Sequence, residues 1–484
     1  MIISIMKTLK LYKIKKTVIN CIIILTLLLI SFHLHAQSDS IKYGIQLSGI
    51  ASSGQYAPFW LQNNQFGKIS FQPFSSNVSA SIYKNLKKSN KSFDYGFGVN
   101  TLFTANNSKT DLYFHELYAE ARLLVFDLTL GAKEELFGNQ DSSLSMGGLL
   151  FSKNYRPIPK IYAGIRDFSA VPFTKGYFEI KGGISHGWFT DDTYIKDALL
   201  HHKYFYFRLG GKLPVKVQYG MDHVAQWGGE SVKYGTNPSD VNDFIGIFVA
   251  SSGGSNSDVN EQINAMGNHI ISQSLKTEIN AGNYQLELYW QNISEDSPLR
   301  LMWQAMNKAD GLWGLSIKNN KFPIFQHFVY EYLNTTDQSG PYHEKDGIVF
   351  GGFDNYFNNY WYESGWTNYQ RTIGSPLITS TIYNNNILEI RNNRVQAHNI
   401  GLEGTYRAYH YKIMTTTSKN YGLYLYPYQH MKSATSIYAE LCKVYNDFYG
   451  IEAGLKIGAD FGEMYGNNVG CMISLKKTGI LFKH

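Results

Sequence analysis

Cysteine is nearly missing from this chain of 484 residues. Of its three cysteines, Cys21 lies in an apolar stretch near the start, which leaves Cys442 and Cys471 for at most one disulfide. A disulfide-stapled scaffold is therefore excluded, and no zinc-ligand spacing is present. Proline is also scarce, at 12 residues, and no Pro-rich or Ser-rich spacer or charge block divides the chain. Its length alone would suggest two or three soluble domains, yet nothing marks a boundary between them. Past residue 36 no run approaches the eighteen continuous apolar residues of a membrane helix. Charge of one sign is lacking too. The net charge of +6 falls to about +1, 39 basic against 38 acidic residues, once residues 1–36 with their five Lys and no acid are set aside. A nucleic-acid partner has no support in that balance.

The first residues carry Lys7, Lys10, Lys13, Lys15 and Lys16, then an apolar run from Val18 to Phe32, then His33-Leu34-His35-Ala36 before polar residues. This is the pattern of a secretory signal peptide with cleavage after Ala36, and the run is short for a spanning helix. Residues 37–484 are then the mature protein.

What the chain has in quantity is aromatic residues, 15% of the total, and 44 Gly. From Phe93 to Thr104, Phe93, Tyr95, Phe97, Val99, Thr101 and Phe103 alternate with Asp94, Gly96, Gly98, Asn100, Leu102 and Thr104. From Glu116, the residues Leu117, Ala119, Ala121 and Leu123 alternate with Glu116, Tyr118, Glu120 and Arg122, and the phase slips at Leu124-Val125, as at a tight turn or a bulge. The same period of two recurs through the chain, with weaker runs at Lys68–Gln72 and Asp243–Ala250. Asp192–His202 reads as a short helix.

The pattern predicts an all-β fold: a closed antiparallel transmembrane β-barrel of about 16–18 strands, with long loops partly plugging the lumen. Charged and amide residues mixed on the polar face suit a crowded, wet lumen better than the outer face of a soluble sandwich. Phe93, Phe103, Trp290 and Tyr204 are candidates for interfacial aromatic girdles.

Chemical motifs are few. Asp222-His223 would offer a carboxylate beside a general base, but no Gly-x-Ser-x-Gly elbow or reactive-Cys motif accompanies it. Glu116, Glu120, Glu134 and Glu135 are expected to pair with cations such as Arg122 and Lys133 rather than to act as catalytic carboxylates. Neither a catalytic residue nor a metal or cofactor site is predicted.

The most unusual stretch is Asp354–Pro376, too polar for a core strand and too aromatic for an ordinary solvated loop. Its Asp354-Asn355-Tyr356, Tyr362, Ser364, Gly365-Trp366, Arg371 and Ile373-Gly374-Ser375-Pro376 resemble, in that order, the signature segment of the Wzi family of capsule assembly proteins. Further segments resemble the same family: Asp222-His223 running into Gln226-Trp227-Gly228-Gly229; Met146-Gly147-Gly148 through Tyr155-Arg156-Pro157-Ile158-Pro159-Lys160; Asn399–Gly404; and Asn420-Tyr421-Gly422. The order of the segments between Tyr43 and Leu475 is stronger evidence than any one of them. Phe482 lies near, but not at, the end, where many barrels place an aromatic.

The resemblance implies a non-enzymatic outer-membrane protein that anchors or helps assemble capsular polysaccharide or exopolysaccharide at the cell surface. Its implied partners are that polymer and outer-membrane lipid, with the polysaccharide export machinery as a further candidate. Polysaccharide-binding candidates are Asp354, Asn355, Trp361, Tyr362, Trp366 and Arg371, with Trp227 second. Aromatic rings stack on the apolar faces of sugars, while Asp, Asn and Arg bond hydroxyls or uronate groups. The same residues could instead hold the loop or plug the lumen. An outer-membrane porin or oligosaccharide channel is the alternative function.

Overall fold

The computed structural model describes residues 40–87, 92–191, 194–252, 265–295, 307, 309–339, 343–346, 348–351, 354–384 and 387–483. The signal-peptide expectation for residues 1–36 lies outside them. The chain divides into two units, Met1–Ile41 with Ile480–His484, and Lys42–Gly479. The account below concerns the second.

Eighteen strands form its wall: β1 Ser40–Ser52, β2 Phe74–Lys84, β3 Phe93–Asn106, β4 Thr110–Leu123, β5 Phe126–Ala132, β6 Lys160–Ala170, β7 Phe178–Trp188, β8 Leu199–Leu209, β9 Val215–Trp227, β10 Asn268–Ala281, β11 Tyr284–Glu295, β12 Gly311–Asn319, β13 His327–Asn334, β14 Val395–Tyr406, β15 Tyr409–Gly422, β16 Pro427–Tyr445, β17 Ile451–Gly462 and β18 Asn468–Lys483. Each pairs antiparallel with the next in sequence, and β18 pairs with β1 to close the barrel. Closure leaves no unpaired sheet edge, as strands facing lipid require.

Side-chain parity separates two environments. Ile45, Leu47, Val78, Ile82, Leu117, Leu128, Phe205, Leu288, Ile413, Leu455 and Ile473 face outward and are exposed, forming an apolar belt. Inward positions carry the charge, and much of it is paired. Lys133 meets Glu120 at 2.5 Å, Arg122 meets Asp127 at 2.7 Å and Asp167 at 3.0 Å, and Lys276 meets Glu287 at 2.9 Å. Phe93 and Phe103 face outward as expected of a girdle, but Tyr204 does not: it is buried on the lumen side, within 2.7 Å of the Tyr162 hydroxyl. Cys442 donates to Glu440 while Cys471 is exposed, and both thiols are free.

The two ends differ. At one, 124–125, 282–283 and 407–408 are two-residue turns, and no connection is longer than 85–92. Leu124, Gly282 and Arg407 take positive φ there, the conformation that a tight hairpin demands. The phase slip at Leu124-Val125 is thus a turn. At the other end run 53–73, 133–159, 228–267 and 335–394.

Three expected elements differ. Lys68–Gln72 is not a strand; it lies within 53–73, where Ile69 and Phe71 are buried inside the wall. Asp243–Ala250 is helical, forming most of the helix Val241–Val249, because Asp240 and Asp243 make a reciprocal capping box ahead of the apolar run. Asp192–His202 is not a helix: Ile195–Lys196 is extended and Leu199 begins β8, the ladder to β7 and β9 overriding local preference. Residues 192–193 lie outside the described set.

Candidate functional site

The long connections turn back into the barrel and pack on one another. Leu144, Met146, Leu149, Tyr356, Phe357, Trp366, Ile373 and Ile378 have no exposed surface. A core of this kind, inside a wall whose inner face is polar, is a plug.

Carboxylates on or near the wall pin it. Glu331 accepts from Ser145 Oγ at 2.6 Å, Met146 N at 2.7 Å and Tyr289 Oη at 2.7 Å. Asp141 accepts from Ser143 N and Leu144 N, and its other oxygen is 3.0 Å from His327 Nε2. Backbone geometry does the rest at two glycines. A Cβ on Gly374 would lie 2.0 Å from the Leu149 carbonyl oxygen, and Gly365, at φ +69°, would bring one within 2.2 Å of Phe357 O. Only glycine permits either approach.

The aromatic signature stretch is therefore mostly interior, not the exposed patch that its composition suggests. Trp361 and Tyr362 are 1% exposed and Trp366 0%, so their rings are covered on all sides by the protein itself. Tyr362 Oη donates to Gly228 O at 3.0 Å, and Trp366 Nε1 donates to Leu150 O at 2.9 Å. Arg371 donates to Gln62 Oε1 at 2.9 Å, Gln62 O at 3.1 Å and Ile69 O, and lies 3.9 Å from the centroid of the Phe71 ring. It faces no carboxylate among the described residues. Burial pulls its pKa down to about 9, so it stays charged at neutral pH.

Asp354 and Asn355 occupy a different position. Asp354 accepts from Asn307 Nδ2 at 2.9 Å, and Asn355 Oδ1 accepts from Asn393 Nδ2 at 2.7 Å, yet both stay half-buried. With Gln338, Glu389, Tyr424 and Tyr426 they line a cleft of about 180 Å³. Tyr426 is 59% exposed beside it, and the Arg394 guanidinium lies 3.8 Å from the Tyr424 centroid. Neither tyrosine figures among the sequence-derived candidates.

Trp227 is not with the others. It faces the outside of the wall under the helix Val241–Val249, with Phe244 at 5.9 Å and His186 at 5.7 Å between ring centroids. Asp222 and His223, adjacent on β9, point to opposite faces. Asp222 meets His202 at 3.0 Å in the lumen, while His223 Nε2 lies 2.8 Å from His269 Nδ1 under the helix. The sequential pair is not an acid–base dyad.

Titration should affect the plug's ties in opposite directions. For Glu134 and Glu135 burial alone would raise the pKa, but His115 and Lys68 beside the first, and Lys160 and Arg166 beside the second, bring each to about 2. Their stabilisation is complete above the ordinary carboxyl range and is lost as pH falls toward 2, with each worth roughly 3 kcal/mol. Asp310 is the reverse. Burial raises it to about 6 although Asp337 N, Gln338 N and Tyr356 Oη all donate to it. Its tie is strongest below pH 4 and weakens as pH rises through 6. Hydrogen exchange corrected for intrinsic rates should show 335–339 better protected at pH 5 than at pH 7, and 133–160 losing protection only below about pH 4.

The fold has solved counterparts. An Escherichia coli protein described as Wzi, an outer membrane protein involved in group 1 capsule assembly and a carbohydrate-binding β-barrel, matches over 90% of this chain and 84% of its own, at 11% identity and a TM-score of 0.59. Pseudomonas aeruginosa OccK5 (OpdH) matches over 92% and 98% at 7% identity, with a TM-score of 0.49. Pseudomonas aeruginosa OprD matches over 93% and 98% at 8% identity, with a TM-score of 0.47. No curated protein matches the sequence. The closed wall and its apolar outer belt are those of an outer-membrane barrel, in which long connections lie at the cell surface and short turns at the periplasm. The model of the capsule assembly protein Wzi family matches residues 57–381, two-thirds of the chain and the whole of the signature stretch Asp354–Pro376, and the chain belongs to that family.

Proposed function

We propose that this barrel binds capsular polysaccharide or exopolysaccharide at its long-connection end and holds it at the cell surface, without catalysing a reaction on it. One observation carries the reading: the long connections are tied together inside the wall, and one of them forms with residues 423–426 a cleft of carboxylate, amide and tyrosine groups. Such groups suit sugars, whose hydroxyls take paired hydrogen bonds and whose ring faces stack on aromatics. Asp354 and Asn355 serve as contact residues in this account. Trp361, Tyr362, Trp366 and Arg371 act as ties that hold the surface in shape, and Trp227 braces the outer helix. Outer-membrane lipid covers the apolar belt, and the polysaccharide export machinery is the natural supplier of the polymer. A channel needs a continuous path, whereas Trp366 and Arg371 join three of the long connections within the wall and favour a closed lumen.

Co-sedimentation of the purified barrel, in proteoliposomes, with extracellular polysaccharide from the cells that make it tests this reading. The barrel should sediment with the polymer, and the double variant Asp354→Ala/Asn355→Ala should do so at least about tenfold less well, as loss of two or three charge-assisted or neutral hydrogen bonds implies. Absence of binding by the unaltered barrel would remove the proposal.

A further inference from the structure

A second cavity, of about 390 Å³, opens at the same end between the β3–β4 hairpin and the plug. Asn106, Ser108, Lys109 and Asp111 line it from the hairpin, and Ser70, Arg156, Asp191, Gln370 and Arg371 from the plug side. Its charges do not cancel locally. Lys109 pairs with Asp111 at 2.8 Å, and Lys68, also on the lining, pairs with Glu134 at 2.6 Å. The Asp191 carboxylate accepts from Tyr369 N at 2.7 Å. Arg156 and Arg371 are left without a carboxylate partner among the described residues.

Arg156 is held in an unusual way. Its guanidinium carbon lies 4.1 Å from the centroid of the Tyr113 ring and 4.4 Å from that of Tyr369, so the group sits between two aromatic rings. Tyr369 is fixed in turn by its hydroxyl, which donates to Thr190 O at 2.9 Å. The Arg156 stem is pressed against Gly67, where a Cβ would lie 2.7 Å from Arg156 Cγ and 3.5 Å from Arg371 Cδ. Two guanidinium side chains thus converge on one left-handed glycine at the cavity wall. Among the described residues, no hydrogen bond or ion pair is made by the Arg156 side chain. A planar fork held between rings, with its donors unused, loses little entropy on binding a carboxylate bidentately.

We propose that this cavity binds the carboxylate of an acidic saccharide, a uronate residue of a polysaccharide. Arg156 supplies the bidentate contact and Arg371 the supporting charge, while Ser70, Asn106, Ser108 and Gln370 offer partners for the neighbouring hydroxyls. The inference rests on the polysaccharide-binding reading above and narrows it to a chemical class.

Its test is titration calorimetry of the full barrel in detergent with an oligogalacturonate, and with the same oligosaccharide after its carboxyl groups have been reduced to alcohols. The unaltered barrel should bind the acidic form at least about tenfold more tightly, as expected for one bidentate charged pair. Arg156→Gln should bring the two affinities within about twofold, chiefly by weakening binding of the acidic form, and Arg156→Lys should fall between. Equal affinities in the unaltered barrel, no binding of the acidic form, or an unchanged preference in Arg156→Gln would each overturn the proposal. So would inorganic sulfate competing as well as the oligosaccharide at equal ionic strength, since the site would then be a general anion site. If the preference fails while the reduced form still binds, the polysaccharide-binding reading survives without its uronate specificity.

Discussion

Trp366→Ala is expected to loosen the plug without unfolding the barrel. The indole is fully buried, with the rings of Phe151 and Phe189 at 6.0 and 6.3 Å and the Leu150 carbonyl as its hydrogen-bond acceptor. Truncating a buried Trp costs about 3–5 kcal/mol through lost contacts and the cavity left behind. The orphaned carbonyl adds to this unless water reaches it. None of that loss falls on the wall, whose eighteen strands pair in a closed ring. Protease cleavage in 140–160 and 354–380 should therefore rise by orders of magnitude while the barrel wall persists. In planar bilayers the unaltered protein should show no steady ion conductance and the variant intermittent openings. Unchanged protection would mean that the indole is not a tie, and steady conductance in the unaltered protein would favour the channel reading.

The wall was legible because a lipid-facing strand imposes period two on its own residues. Phe93–Thr104 falls within β3, with its aromatic face outward, for that reason. The same parity, applied strictly, also separates Asp222 from both His223 and Trp227, which lie at odd distances from it along β9. Trp227 belongs outside the lumen on that count alone. Asp243–Ala250 misled because so short an apolar run fits both periods, and the capping box at Asp240 was the signal that decides between them. Burial of the signature stretch had no local signal: its partners are irregular segments up to about 300 residues away, as Arg371 with Gln62 illustrates. Arg156 was readable only as part of a family-like segment before Pro157, since neither Tyr113 nor Tyr369 is near it in sequence.

Release of polymer from the cell is the second large effect expected, and it bears on the central claim. If the barrel holds polysaccharide at the surface, its loss breaks attachment and not synthesis. Many weak sugar contacts along one polymer act together, so removing the surface protein should cost far more retention than any single contact suggests. The measurement is the amount of polysaccharide in the cell-bound and medium fractions of cells lacking the chain, set beside cells complemented with the unaltered protein. The account predicts that most of the cell-bound polymer moves to the medium while the total stays constant, and that complementation returns it. An unchanged cell-bound fraction in the cells lacking the chain would contradict it.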